Sequence, residues 1–89
     1  MAELNVELVS ADRKIWSGTA QMVSAPAADG EIGILADHSP LLSVLREGDV
    51  RVRGAQGEDL EVHVTGGFLS VDSNRVTIVA DSVESVPTH

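Results

Sequence analysis

The densest group of side chains able to do chemistry lies between positions 29 and 38: Asp29, Glu31, Asp37 and His38. Carboxylates with an imidazole are the donor types of a divalent-metal site or an acid–base pair. Their spacing argues against both. Gly30 and Gly33, with Ile32, Ile34 and Leu35, read as a turn feeding a short apolar strand, so the acids fall on two successive turns and do not converge. No second histidine stands at ligand spacing, and no serine is tied to a base and an orienting acid. The expectation is no catalytic residue, no metal and no cofactor. By residue type alone Glu31 is a solvated turn acid, and His38 is a loop histidine bonding nearby backbone. His63 falls on the polar face of a strand and His89 ends the sequence, so neither has an evident role.

Glycines offer the other chemical possibility, a phosphate cradle. Gly66-Gly67-Phe68 interrupts the rhythm between two strands, but no glycine-spaced loop opens onto a helix or carries a Lys-Ser/Thr pair. The paired glycines read better as a bulge, a tight bend or a close pass of another backbone.

Composition narrows the function classes. With 89 residues, 43% of them hydrophobic, the sequence suits one domain with a modest core. No cysteine is present, which excludes disulfides, thiolate zinc sites and thiol nucleophiles. A formal charge of −8 repels phosphate backbones and anionic lipid, so nucleic acid and free membrane are not expected partners. The apolar stretches are too short to insert in a membrane, and Met1 to Asn5 lacks the pattern of a secretory signal. Trp16 and Phe68 are the only aromatic residues, too few for a stacking platform. An acidic surface favours encounter with a basic protein face.

The elements that must position these residues are strands. Leu4, Val6 and Leu8 alternate with Asn5 and Glu7, which puts one apolar face inward. The same alternation recurs at Val50 and Val52, at Leu60, Val62 and Val64, at Leu69 and Val71, and at Val76, Ile78 and Ala80. Gly54-Ala55-Gln56-Gly57 and Asp72-Ser73-Asn74 read as hairpin turns, with Asn74 suited to a positive φ. Trp16-Ser17-Gly18 reads as a buried strand-end aromatic followed by a turn. Ser39-Pro40 has the form of a helix start, but Gly48 follows too soon, so Leu41 to Glu47 is a strand or a single turn. From Asp81 to His89 neither period holds, and the end is expected to fray. Turn residues every eight to twelve positions indicate an all-β sandwich or barrel.

In order, Val9-Ser10-Ala11, Trp16-Ser17-Gly18, Gly30-Glu31-Ile32-Gly33-Ile34-Leu35, His38-Ser39-Pro40-Leu41-Leu42, Gly66-Gly67-Phe68 and Val79-Ala80-Asp81 form a series. From about Leu4 to Val83, this series resembles the N-terminal domain of the epsilon subunit of F-type ATP synthase, called delta in mitochondria. The resemblance implies a small antiparallel β-sandwich of about ten short strands. It implies a non-catalytic rotor subunit of the central stalk, held between the gamma subunit and the c-ring, coupling proton-driven rotation to ATP synthesis. It places Glu31, in a loop shaped by Gly30 and Gly33, toward the c-ring, and Ser10, His38 and Ser43 against gamma. The location implied is peripheral, on the cytoplasmic side of an energy-transducing membrane.

The sequence departs from that family after the sandwich, where most members continue into two helices. Residues 81–89 lack the apolar period for them, so neither inhibition by an extending helix nor nucleotide binding is expected of this chain. The expected organisation is a sandwich over 1–83 and a flexible end over 84–89. A rival reading of the residues is a generic adaptor or ligand-binding sandwich that uses the loop from Gly30 to Pro40.

Overall fold

The computed structural model describes residues 3–11, 13–55, 57 and 59–85, and these form nine strands. In chain order they are β1 (Leu4–Ser10), β2 (Arg13–Ala27), β3 (Gly30–Leu35), β4 (Leu41–Leu45), β5 (Gly48–Gly54), β6 (Asp59–Val64), β7 (Gly67–Asp72), β8 (Arg75–Ala80) and β9 (Val83–Ser85). The alternation legible in the sequence sets which face turns inward. Leu4, Val6, Leu8, Val50, Val52, Val62, Val64, Leu69, Val71, Val76, Ile78 and Ala80 are each at most 3% exposed, joined by Ala20, Val23, Ala25, Ile34 and Leu45. Among the described residues no polar side chain is buried, so the core is held by packing alone.

Two layers enclose this core, and β2 belongs to both. Its first half pairs with β1, from Leu4↔Ala20 to Ser10↔Arg13. Its second half lies between β3 (Met22↔Leu35 to Ala27↔Gly30) and β5 (Ala20↔Gly54 to Ser24↔Arg51). One layer therefore runs β2–β1–β8–β7–β4 and returns to β2 through Ala27↔Leu45; the other runs β3–β2–β5–β6–β9. Register shifts opposite Leu8/Val9 and between Ala20 and Met22 are bulges, which bend β2 and let one strand serve both layers. The thinnest dimension, 23 Å, fits two sheets about 10 Å apart with outer side chains on each face.

Several sequence expectations change. The sheet is not wholly antiparallel: β1 runs parallel to β8, from Asn5↔Arg75 to Ser10↔Ala80, because β1 fills the gap between β2 and an already paired β7–β8 hairpin. Trp16-Ser17-Gly18 is not a strand end with a turn but the interior of the 15-residue β2, facing Leu8, Glu7 and Val6. Trp16 is half-buried against the core, and a Cβ at Gly18 would stand 2.9 Å from its ring. The glycine is a seat for the indole. Leu41–Leu45 is a strand. Val83–Ser85, expected to fray, is strand β9, antiparallel to β6. Val86 to His89 lie outside the described residues.

The glycine pair does mark a close pass. Gly67 has φ 138°, and a Cβ there would overlap the carbonyl oxygen of Val79 on β8. In the β7–β8 hairpin both central residues, Ser73 and Asn74, have positive φ of 52° and 62°, the pattern of a type I′ turn.

Candidate docking surfaces

The β2–β3 hairpin presents the first set of predicted residues. Ala28 and Asp29 form its turn, Gly30 takes φ 137°, and β3 then alternates: Ile32 and Ile34 turn inward while Glu31, Gly33 and Leu35 are exposed. Gly30, Glu31 and Gly33 are thus brought together on one strand, with the Glu31 carboxylate in water. The hairpin is tied to β4 by main chain: Ala28 N donates to the Val44 carbonyl and Arg46 N to the Pro26 carbonyl, both at 2.9 Å. Gly48 lets Pro26 settle there, since a Cβ would come within 2.8 Å of the proline ring.

The second predicted set is spread out. Ser10 ends β1 and pairs with Ala80, and its hydroxyl donates to the Arg13 carbonyl at 3.3 Å. His38 follows the β3–β4 turn and is half-buried; its Nδ1 donates to the Ser39 carbonyl at 2.7 Å. The turn closes with His38 N donating to the Leu35 carbonyl. Asp37 beside it has φ 66° and bonds the tip of the β7–β8 hairpin through Asn74. Ser10 therefore lies at the end of the first layer away from that tip, roughly five residues or ~17 Å along the strands from the His38 end. Ser43 stands on β4 between Leu42 and Val44 but faces the opposite way, half-buried on the side of Leu41 and Leu45.

What β4 shows to solvent is apolar. Leu42 and Val44 are 74% and 65% exposed, and Phe68 on β7 is 40% exposed. Register extends this patch across four strands: Val44 pairs with Phe68, Phe68 with Val79, and Val79 with Val9. The row Val44–Phe68–Val79–Val9 plus Leu42 is a continuous band on the outer face of the first layer. Water-facing bands of this kind mark contact sites on proteins. Sequence alternation could have found part of it: in Leu41-Leu42-Ser43-Val44-Leu45 both faces carry large apolar residues, so one of them must remain outside.

The outer face of the second layer is a ladder of charge. Arg53 pairs with Asp59, Arg51 with Glu61 and Asp49 with His63, which in turn pairs with Glu84 on β9. Arg51 Nε lies 3.3 Å from Glu61 Oε2. A surface depression of about 300 Å³ here is lined by Met22, Ser24, Arg51, Arg53, Asp59 and Glu61 among others. His63 sits between two acids, Nδ1 at 2.9 Å from Asp49 Oδ1 and Nε2 at 3.2 Å from Glu47 Oε2. Both nitrogens can donate only when the ring is protonated, so the bond to Asp49 and then that to Glu47 raise its pKa above the ordinary 6.5. Among the described residues no three His, Asp or Glu side chains gather as a metal site.

Comparison with known proteins identifies this arrangement. The family model for the β-sandwich domain of the ATP synthase delta/epsilon chain matches residues 3–86. The chain belongs to that family. It is 55% identical over 82 residues to the ATP synthase epsilon chain of Micrococcus luteus, covering 92% of this chain and 90% of the relative. Against the epsilon chain of Streptomyces avermitilis it is 46% identical, covering 93% of this chain and 67% of the relative. A chain in the cryo-EM structure of Euglena gracilis mitochondrial ATP synthase, OSCP/F1/c-ring, superposes with TM-score 0.88 at 23% identity. That match covers 96% of this chain and 54% of the Euglena chain; at such identity the likeness is one of fold. The delta/epsilon sandwich is thus the shared unit. In this member one outer face carries the apolar band and the other the rows of paired charge.

Proposed function

We propose that this delta/epsilon sandwich is a non-catalytic central-stalk rotor subunit of F-type ATP synthase, linking gamma to the c-ring. In that role it couples proton-driven rotation to ATP synthesis performed on other chains and binds no nucleotide itself. The observation that supports this most is the separation of two docking surfaces on one rigid body. The apolar band over β4, β7, β8 and β1 suits the apolar centre of a protein contact, and we assign it to gamma. Ser10 follows Val9 at the band's edge, Ser43 lies on β4 with its side chain turned to the other face, and His38 stands near the opposite end of the layer; the gamma-facing roles of the three rest on the family resemblance. The exposed acid of the β2–β3 hairpin, Glu31 between Gly30 and Gly33, suits a basic polar loop of the c-ring.

A coupling part must pass force between these surfaces without opening. The seam that joins them is main chain: Ala28 to Val44, Arg46 to Pro26, and the pair Ala27↔Leu45. Backbone bonds backed by a core without buried polar groups open rarely. Among the described residues no helix is long and apolar enough to cross a membrane. The chain is assigned a peripheral place through the complex, on the cytoplasmic side of the energy-transducing membrane.

The deciding experiment is size-exclusion chromatography of the purified chain with purified gamma at low and high salt. A stoichiometric complex that survives high salt is expected, because an apolar contact is screened little. A folded chain that forms no complex in either salt overturns the assignment. For the c-ring face, Glu31→Lys is expected to weaken attachment to the ring and leave gamma binding and the fold intact. Proton-driven synthesis equal to wild type in that variant would remove Glu31 from the ring contact.

A further inference from the structure

The left-handed residue beside His38 is held in place from a distant part of the sequence. Asp37, at φ 66°, donates its main-chain N–H to Asn74 Oδ1 at 2.6 Å, and Asn74 Nδ2 donates back to Asp37 Oδ1 at 3.3 Å. Asn74 is itself fixed, because its carbonyl accepts from Asn5 N at 2.7 Å and its own φ of 62° is set by the I′ turn. One amide side chain thus bonds both the backbone and the carboxylate of Asp37, and His38 is the next residue.

We propose that Asn74 is a positioning residue for partner docking: its amide latches Asp37 in the left-handed conformation and thereby fixes where His38 stands. Non-glycine residues adopt that conformation at an energetic disadvantage, so a free loop would spend much of its time elsewhere. An unlatched loop would have to be ordered when the partner binds, which lowers affinity without removing any contact from the interface. The bond geometry is selective. Asparagine supplies an acceptor for the N–H and a donor for the carboxylate at once, whereas aspartate would supply the acceptor and repel Asp37.

The proposal rests on the reading of His38 as gamma-facing, and the test separates the two. Asn74→Gly is the informative variant, since glycine accepts the positive φ of the turn and only the amide is lost. In the free chain the Asp37 amide proton is expected to exchange about tenfold faster, with the thermal midpoint moved by no more than a few degrees. Affinity for gamma is expected to fall about fivefold, the scale of one net hydrogen bond. In a His38→Ala background the same substitution is expected to change affinity little, because the two act through one loop. Should Asn74→Gly lower the midpoint strongly, Asn74→Asp, which keeps the turn and the acceptor but sets a second carboxylate against Asp37, is read through gamma affinity in place of exchange: a fall below wild type is expected, and wild-type affinity overturns the latch. Unchanged Asp37 exchange, unchanged gamma affinity beside a weakened His38→Ala, or full additivity of the two substitutions overturns the latch and leaves the docking face standing. Wild-type affinity in His38→Ala overturns the role of His38, and the positioning role with it.

Discussion

The two outer faces of the sandwich are built from strands of the same alternation and differ in one feature: the first carries an apolar band across four strands, and the second carries rows of paired charge. On the first layer, Val44, Phe68, Val79 and Val9 share an apolar row with Leu42 beside it, while the rows beyond carry Ser70, Thr77 and Glu7, then Asp72, Arg75 and Asn5. On the second layer, the rows Arg53–Asp59, Arg51–Glu61 and Asp49–His63–Glu84 pair opposite charges across strands. A charged ladder of exposed pairs is worth little to stability and holds water well, so those rows leave no apolar surface that calls for a partner. An apolar band leaves surface in water that a partner can remove from it. The domain's −8 charge opposes self-association through that band.

The sharpest way to break this comparison uses neighbours on one strand. Leu69 is fully buried and Phe68 is 40% exposed, so Leu69→Ala is expected to lower unfolding free energy by about 2–5 kcal/mol through the cavity it leaves. Chemical denaturation measures it, and a change below about 1 kcal/mol would place the core elsewhere. Val44→Glu tests the band without touching the core. It is expected to weaken gamma binding by about 2 kcal/mol, roughly thirtyfold, with the denaturation midpoint nearly unchanged. Equal affinity would mean that the band is not the contact.

The charged face gives the smallest effect, and its sign can be worked out. His63 has a raised pKa in the folded state, chiefly from the Asp49 bond and next from Glu47. Glu84 is its cross-strand neighbour on β9, with Glu61 and Arg51 on the adjacent row. A raised pKa means that the contribution is complete below the ordinary 6.5 and is lost as pH rises through the folded value. Wild type should therefore be slightly more stable at pH 6 than at pH 8, relative to His63→Gln, a small effect because the pair is screened by solvent. Parallel denaturation curves for the two proteins at both pH values would dissolve the pairing. Arg51→Ala, breaking one exposed pair, should change stability by no more than about 0.5 kcal/mol.

Most strands of the fold were legible because period two survives in Leu4-Val6-Leu8, Leu60-Val62-Val64 and Val76-Ile78-Ala80, whatever lies across from them. The long β2 was not, since Trp16-Ser17-Gly18 carries turn chemistry locally, and only pairing with β1 and the indole resting on Gly18 keeps it extended. β9 was missed for a similar reason: three residues hold no period, and the edge of β6 makes them a strand. At the site, Glu31, Gly30 and Gly33 were legible as a turn and a short strand. The apolar band and the Asn74 latch were not, because each is formed by residues from strands or turns far apart in sequence.

By itself, then, the sequence determined the class of the fold, most of the inward-facing residues, the β5–β6 and β7–β8 turns and the absence of cysteine chemistry. These follow from local rules of chirality, alternation and residue type. Only the tertiary structure decided that β1 runs parallel to β8, that β2 serves both layers, and that five apolar side chains meet on one outer face. Strand partners and register are set by how the whole core closes, a property of many distant residues at once, and no local pattern encodes it.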